Sequence, residues 1–179
     1  MENKKSIFQR AAEWGIPFGL YLAFAAMTYI FSDFFPPLSL LFIVMCLCIP
    51  MVVYFFQRRK FIEDDGFTEY AGLWMLGIML FLLGTLVASF IVYLVLQHIR
   101  PTFMYDQAQV IINTSKEVPG AIDKELLQII KRMVDEKLMP SPIEIVMSMY
   151  WLVTFMGSLI SAITAIFAHR SINRRSRQP

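Results

Sequence analysis

The side chains that could carry out chemistry are few and widely separated. The two histidines, His98 and His169, each stand at the end of a long apolar stretch, and the two cysteines, Cys46 and Cys48, lie one residue apart inside another. A disulfide between such close positions would be strained, and a zinc site needs more ligands than this stretch offers. We therefore interpret the cysteines as small apolar side chains.

Acidic side chains offer the remaining candidate chemistry. The carboxylates of Asp106, Glu117 and Glu125 could serve as acid–base groups, but exposed acids far more often form a solvated surface. The chain contains neither a glycine-rich phosphate loop nor a nucleophile elbow. The sequence therefore predicts a protein that is not an enzyme and that holds no metal or cofactor.

Long uncharged stretches dominate the chain. Apolar residues make up 57% of its 179 residues, and basic and acidic residues nearly balance at 16 and 14. Residues 71–97 include no charged side chain over 27 positions. As a helix rising about 1.5 Å per residue, this stretch would exceed a hydrocarbon core of about 30 Å. It therefore indicates a transmembrane helix, around which the rest of the chain is organised.

Three further apolar stretches complete the predicted architecture. The first, residues 14–32, is longer than the apolar region of a signal peptide and is followed by no clear cleavage site, so we interpret it as a retained span. We predict an all-α integral membrane four-helix bundle with a helical extracytoplasmic insert between spans three and four. In this single membrane domain the spans cover about 14–33, 38–57, 70–97 and 143–169, and the insert, or cap, covers about 101–140.

Basic residues near the span ends indicate the topology. With the N-terminus in the cytoplasm, ten of the 16 basic residues lie on the cytoplasmic side. The positive-inside rule therefore predicts cytoplasmic N- and C-termini. We interpret six of these residues as topology determinants that contact the lipid bilayer through its headgroups, with no nucleic-acid partner: Arg58, Arg59, Lys60, Arg170, Arg174 and Arg175.

Small residues recur along three of the predicted spans. Spacing of about four residues lets helix backbones approach closely in a membrane. The candidate helix-packing residues are Gly15, Gly19, Gly77, Gly84, Gly157 and Ser161. The pattern favours packing within one chain over homodimerisation, because four spans must pack somewhere.

The predicted cap contains an amphipathic helix over residues 121–138. Its apolar face, at helical spacing, contains Ile122, Leu126, Ile129 and Met133, and Ile130 and Val134 widen the same face. We expect residues 103–113 to form a helical extension of the third span. The amphipathic helix is predicted to fold over that extension and to contact it through Val110 and Ile111. After the cap, Ser141 and Glu144 match a capping box that begins the fourth span.

Several short features together resemble a known family. They are the Gly66-Phe67-Thr68-Glu69 entry to the third span, Pro101 just past its end, and a polar insert before the fourth span. In these features the chain resembles the domain of unknown function 4199 family, a group of small integral membrane proteins of the Bacteroidota. The family has no established activity, so the resemblance transfers no functional residues. It implies only a loose association with membrane glycosyltransferases.

Two functional hypotheses follow. The first is an uncharacterised, non-enzymatic accessory subunit that binds a membrane-protein partner, with a membrane glycosyltransferase as one candidate, or that forms a homo-oligomer. The alternative is a small oligomeric permease or channel. No charged residue lies deep in any predicted span, which counts against a proton-coupled transporter. The hydroxyls that could line a path are those of Thr28, Ser89, Ser148, Thr154, Ser158 and Thr164.

Overall fold

The computed structural model describes residues 6–64, 67–117, 123–136 and 138–173, with side chains described as far as residue 169. Every regular element in these ranges is a helix. The helices are α1 (Ile7–Ile30), α2 (Pro37–Glu63), α3 (Tyr70–His98), α4 (Phe103–Glu117), α5 (Lys124–Asp135) and α6 (Pro142–Asn173). The chain divides into two compact units, residues 1–92 with 148–179 and residues 93–147, which are described in turn.

Helix α1 begins seven residues before the predicted first span. Ser6 caps it, because the Ser6 hydroxyl accepts from the Gln9 backbone N–H at 3.3 Å while the Gln9 side chain accepts from the Ser6 N–H at 3.1 Å. The helix ends at Ile30. Helix α2 then begins with Pro37, a residue whose fixed φ and missing N–H suit the first helical position.

Helices α1 and α2 form an antiparallel hairpin, since a short turn connects them. Near the turn, the rings of Tyr29 and Phe42 lie 5.2 Å apart, and at the far end Trp14 stacks on Phe56 at 5.4 Å. Helix α2 does not stop at Gln57, the predicted end of the second span. It runs on through the basic triplet Arg58, Arg59 and Lys60. It continues to Glu63, and its extra turns carry charged side chains that pair within the unit.

The first unit is built around aromatic and aliphatic side chains of α1, α2 and α3. Phe18 and Phe81 are almost completely buried and meet edge to face with their ring centroids 5.1 Å apart. A second buried cluster joins α2, α3 and α6 through Phe61, Leu73 and Ala165. Four helices therefore contribute to the packing of this unit.

Three of the described helices are long and apolar enough to cross a membrane: Pro37–Glu63, Tyr70–His98 and Pro142–His169. The length and composition of these helices indicate a membrane protein. The first helix, Ile7–Ile30, is not among the three, because it begins with polar turns that carry Arg10 and Glu13. The four-span count therefore stays a prediction.

The second unit contains the α4–α5 hairpin. The prediction that residues 103–113 extend the third span is wrong, since α3 ends at His98 and α4 begins anew at Phe103. Pro101 interrupts the helix because it lacks a backbone N–H. Arg100 bonds to the Asp106 carboxylate at 3.1 Å across this break. Helix α4 then continues as far as Glu117.

Helix α5 is shorter than predicted. Asp123 is extended, and its carboxylate accepts from the Glu125 backbone N–H at 3.2 Å, so the helix begins at Lys124 rather than at residue 121. It ends at Asp135, three residues before the predicted end. Farther along, the Ser141 N–H donates to the Glu144 carboxylate at 2.8 Å, as the capping pattern before α6 predicted.

Candidate functional site

Helices α1 and α3 approach one another through glycines. A Cβ added at Gly19 would lie 2.6 Å from the Gly84 carbonyl oxygen and 2.8 Å from Val87 Cβ. A Cβ at Gly84 would in turn lie 2.6 Å from Phe18 Cδ1, and one at Gly15 would lie 3.1 Å from the Leu83 Cβ. At the Gly19–Gly84 crossing, therefore, only glycine allows the two backbones to meet at this distance.

Helices α3 and α6 meet through the other three small residues. A Cβ at Gly77 would overlap the hydroxyl of Ser161, and one at Gly157 would overlap the ring of Phe81. Both Ser161 and Phe81 are almost completely buried. The structure thus pairs the small residues of α1 with α3, and those of α3 with α6, whereas the sequence pattern had placed them on helices without assigning their partners.

Gln57 connects three helices. Its side-chain amide nitrogen on α2 donates to the Leu73 carbonyl of α3 at 3.2 Å and to the Ser161 carbonyl and hydroxyl of α6 at 3.1 and 3.0 Å. The Ser161 hydroxyl donates onward to the Trp74 carbonyl at 3.1 Å. The Gln57 side chain is fully buried, and its Oε1 accepts no hydrogen bond from the described residues.

Sequence analysis missed Gln57 because this residue was interpreted as the polar end of the second span. The available signal was its register on α2. Gln57 lies one helical turn from both Val53 and Phe61, two residues that face inward. A polar residue on the buried face of an apolar helix must find partners, and amide side chains commonly supply hydrogen bonds between membrane helices.

An ionic cluster joins the start of α1 to the end of α2, and in it Arg10 and Lys60 are buried, Asp64 is half-buried and Glu63 is exposed. Arg10 pairs with Glu63 and lies 3.8 Å from Asp64, and Lys60 Nζ lies 2.6 Å from an Asp64 carboxylate oxygen. The Thr68 hydroxyl donates to the same carboxylate at 2.5 Å. Burial alone would raise the pKa of Asp64, but the hydrogen bonds from Lys60 and Thr68 and the nearby positive charges hold it below its ordinary value.

The three basic residues Arg58, Arg59 and Lys60 therefore lie in three different environments. Lys60 is only 5% exposed and its ammonium group pairs with Asp64, which leaves little of it free to contact headgroups. Arg59 is exposed, pairs with Glu63 at 3.0 Å and lies over the Trp14 ring at 5.6 Å. Arg58 is half-buried, and its Nε has no hydrogen-bond partner among the described residues.

Four predicted site residues lie outside the described part of the chain. Arg174 and Arg175 follow its last residue, Ile122 falls in the gap before α5, and Arg170 lies in α6 beyond the last described side chain. Their roles as headgroup and cap-face residues stay predictions.

The cap helix packs through one side of its predicted apolar face, the side to which Ile130 and Val134 belong. Val134 is buried against Ala108 and Ile112 of α4, and Leu127 and Ile130 pack beside them. The Tyr105 hydroxyl of α4 donates to the Val134 carbonyl at 2.9 Å. The helix thus folds over α4 as predicted, but through Val134 and Ile130 rather than through Leu126, Ile129 and Met133.

Most of the predicted contact residues are exposed. Leu126, Ile129 and Met133 are 51%, 52% and 39% exposed, and Val110 of α4 is also exposed, whereas Ile111 is half-buried. Helix α5 has two adjacent apolar rows, and α4 covers only the row that contains Val134. The other row remains exposed, because a helix that packs against one neighbour buries only the side that faces that neighbour.

The hydroxyls proposed to line a permeation path are partly engaged elsewhere. Thr28 donates to the Ala25 carbonyl at 2.7 Å, and Thr164 donates to the Ile160 carbonyl at 3.0 Å, both within their own helices. The Thr154 hydroxyl is buried without a hydrogen-bond partner among the described residues. These contacts leave fewer hydroxyls available to a solute than the sequence suggested.

The described residues contain no group of three or more histidine, cysteine or acidic side chains that could hold a metal ion. His169 packs edge to face against Phe61 at 5.7 Å, and Cys46 and Cys48 are free thiols. The geometry of the described residues is therefore that of packed helices, an ionic cluster and apolar side chains of α5 that α4 leaves uncovered.

Comparison with known proteins places the chain in a family. Residues 13–170 match the family described as "Protein of unknown function (DUF4199)". The match covers most of the chain, so this protein belongs to that family, and the resemblance found in the sequence is confirmed. No curated protein matches. No solved structure matches either.

Proposed function

We propose that this chain is a four-span protein of a bacterial inner (cytoplasmic) membrane and acts as a non-enzymatic accessory subunit that binds a membrane partner. The four-span count is supported by packing: Phe18 and Leu22 of α1 share one buried cluster with Val53 of α2 and Phe81 of α3. A helix that packs among apolar helices over its uncharged length fits best as a span itself.

The observation that carries this proposal is the surface of α2. In the most apolar part of α2 only 6% of the residues are buried, compared with 33% in α3 and 28% in α6. Large side chains form a continuous outward row on this helix, here called the α2 row: Leu40, Val44, Leu47 and Met51.

The spacing of the α2 row favours a helix over lipid as its occupant. Steps of four, three and four residues keep the side chains of Leu40 through Met51 on one seam, as in helices that seat on another helix. Lipid tails need no such register. The family resemblance implies a membrane glycosyltransferase as the first partner to examine.

Pull-down of the tagged full chain from cross-linked membranes tests this role. Replacing Leu47 and Met51 together by Trp should abolish recovery of the partner, because the rings would break the seam but remain acceptable to lipid. The matched control replaces Leu152 and Leu159, two exposed residues of α6, by Trp, and it should retain the partner. If the wild-type chain recovers no other membrane protein, the accessory role is overturned.

The topology has its own test. A reporter that is active only outside the cytoplasm should be active when fused after Gln109 and silent when fused after Pro179. This expectation rests on the basic residues beside the spans, which the positive-inside rule counts whether or not nearby acids pair with them. The reverse pattern would exchange the two sides of the membrane.

A further inference from the structure

Helix α5 carries an apolar row that its own unit leaves uncovered. This row, here called the α5 row, consists of Leu126, Ile129 and Met133, all of them exposed. The residues follow one another at steps of three and four, which is the seam spacing of paired helices. Because α4 already covers the adjacent row through Val134, the α5 row is free for a further contact.

The charges beside the α5 row narrow the choice of occupant. Glu125, Arg132 and Glu136 line one edge of the row and are exposed. Helices that lie in a lipid interface are usually basic around their apolar face, since bacterial and cytoplasmic lipid surfaces carry negative charge. An edge that carries two acids and one base therefore suits a protein surface better than an anionic bilayer.

The order of these charges is self-complementary. Glu125 stands near the start of α5 and Arg132 near its end, about 10 Å along the axis. When a helix meets a copy of itself across a perpendicular two-fold axis, the two run antiparallel, so the start of each faces the end of the other. Each Glu125 then faces the Arg132 of the other copy, and the contact forms twice.

We propose that the α5 row is the contact surface for a second copy of this chain. The two α5 helices pair antiparallel, with the apolar rows in the centre and the two Glu125–Arg132 pairs at the edge. Arg132 is available for this contact, because its only ion pair within the described residues is a long one, 3.9 Å to Glu136. This pairing is independent of the α2 row and of the partner proposed for it.

The contact is small, which decides how it must be tested. Three apolar side chains from each copy form an interface well below the ~1,600 Å² of a standard stable complex. Confinement of both copies to one membrane raises their effective concentration and compensates for the small area. The experiment therefore uses the full chain in its native membranes.

Cross-linking reports the pairing directly. In a background with Cys46 and Cys48 replaced by Ala, Ile129→Cys should give a covalent dimer with a short bis-maleimide. The matched control is Lys131→Cys, which places the thiol on the opposite, charged side of α5. It should give little dimer, because this side of α5 faces away from the second copy. Chance collisions would instead give similar yields at both positions.

Charge reversal identifies the partner as a second copy. In the Ile129→Cys background, Glu125→Arg or Arg132→Glu alone should reduce the dimer yield by roughly tenfold, because each creates two repulsive contacts. The variant carrying both reversals should recover the yield, since each copy again presents opposite charges. Protease resistance of the α4–α5 hairpin should be the same in all three variants.

Each other outcome overturns the proposal. If neither single reversal changes the dimer yield, the α5 row contacts lipid or the cross-link reflects chance contact. Single reversals that reduce the yield without recovery in the double variant would assign it to a different protein. Equal cross-linking at positions 129 and 131 would show that α5 has no preferred face.

Discussion

Helices α3 and α6 meet where Gly77 faces Ser161 and Gly157 faces Phe81, whereas α4 and α5 meet through Ala108, Ile112 and Val134 with no glycine at the contact. In the first unit the backbones come close and polar side chains bridge them. In the second unit apolar side chains of α4 and α5 are buried against each other, and the charged side chains of α5 are exposed. The same chain therefore uses both kinds of helix packing, the close approach typical of membrane helices and the side-chain burial typical of proteins in water.

The largest effect should come from placing a charge in the core of the second unit. Val134→Asp would bury a carboxylate against Ala108 and Ile112, which should cost about 3 kcal/mol or more and open the α4–α5 hairpin. Limited proteolysis of the full chain in nanodiscs measures this opening. Gln128→Asp is the control, because Gln128 is exposed and lies in neither apolar row of α5. If the two variants are cleaved equally fast, the side chain of Val134 does not hold the hairpin together.

Two regions show why sequence predicted the elements better than their contacts. The rows containing Leu126 and Val134 are similar in apolar character and spacing, so only the position of α4 decides which row is buried. Likewise Arg10 and Glu63 are far apart in the chain. The sequence around Arg10 indicates only which side of the membrane the N-terminus lies on, and the sequence around Glu63 indicates only a loop with nearly balanced charges. Their pairing follows from the antiparallel packing of α1 and α2, which brings the start of one helix to the end of the other.

The ionic cluster of the first unit should produce the next largest effect. Asp64→Asn would leave the buried Lys60 ammonium without its partner, at a cost of about 3 kcal/mol. Because the pKa of Asp64 is lowered in the folded protein, the stabilisation is present above the unfolded-state value of about 3.9 and is lost as the pH falls through the folded value.

Thermal unfolding in nanodiscs at pH 7 and at acidic pH measures this contribution. The wild-type unfolding temperature should exceed that of Asp64→Asn at pH 7. The gap should begin to shrink below pH about 3.9 and should close only as the pH falls through the lower pKa that Asp64 has in the folded protein. A gap that stays constant with pH would mean that the charge of Asp64 does not stabilise the fold.

The close approach of α3 and α6 can be tested by adding a single methyl group. Gly77→Ala places a Cβ where the Ser161 hydroxyl lies, so the helices must separate, at a cost of about 1–3 kcal/mol. Gly72→Ala on the same helix is the control, since its Cβ would meet only the ends of two side chains, the Thr68 methyl group at 3.1 Å and Ile7 Cδ1 at 3.7 Å. Unfolding by SDS titration compares them, and equal stability would argue that the α3–α6 contact is loose.

The smallest effect should come from the most connected polar residue. Gln57→Met keeps the length of the side chain and removes its donors to Leu73 and Ser161. The Ser161 hydroxyl still donates to the Trp74 carbonyl, so it is not left unpaired. The change also removes Gln57 Oε1, a buried acceptor without a described partner, which offsets part of the loss.

We therefore expect Gln57→Met to lower the free energy of unfolding by only about 0.6 kcal/mol, the typical value for a hydrogen bond between membrane helices. Tyr105→Phe supplies the comparison in the second unit, where loss of the bond to the Val134 carbonyl should cost about 1 kcal/mol. SDS titration of the first variant and proteolysis of the second measure the two costs. A loss above about 2 kcal/mol for Gln57→Met would mean that polar bridging, rather than the close approach of glycines, is the main contribution to packing in the first unit.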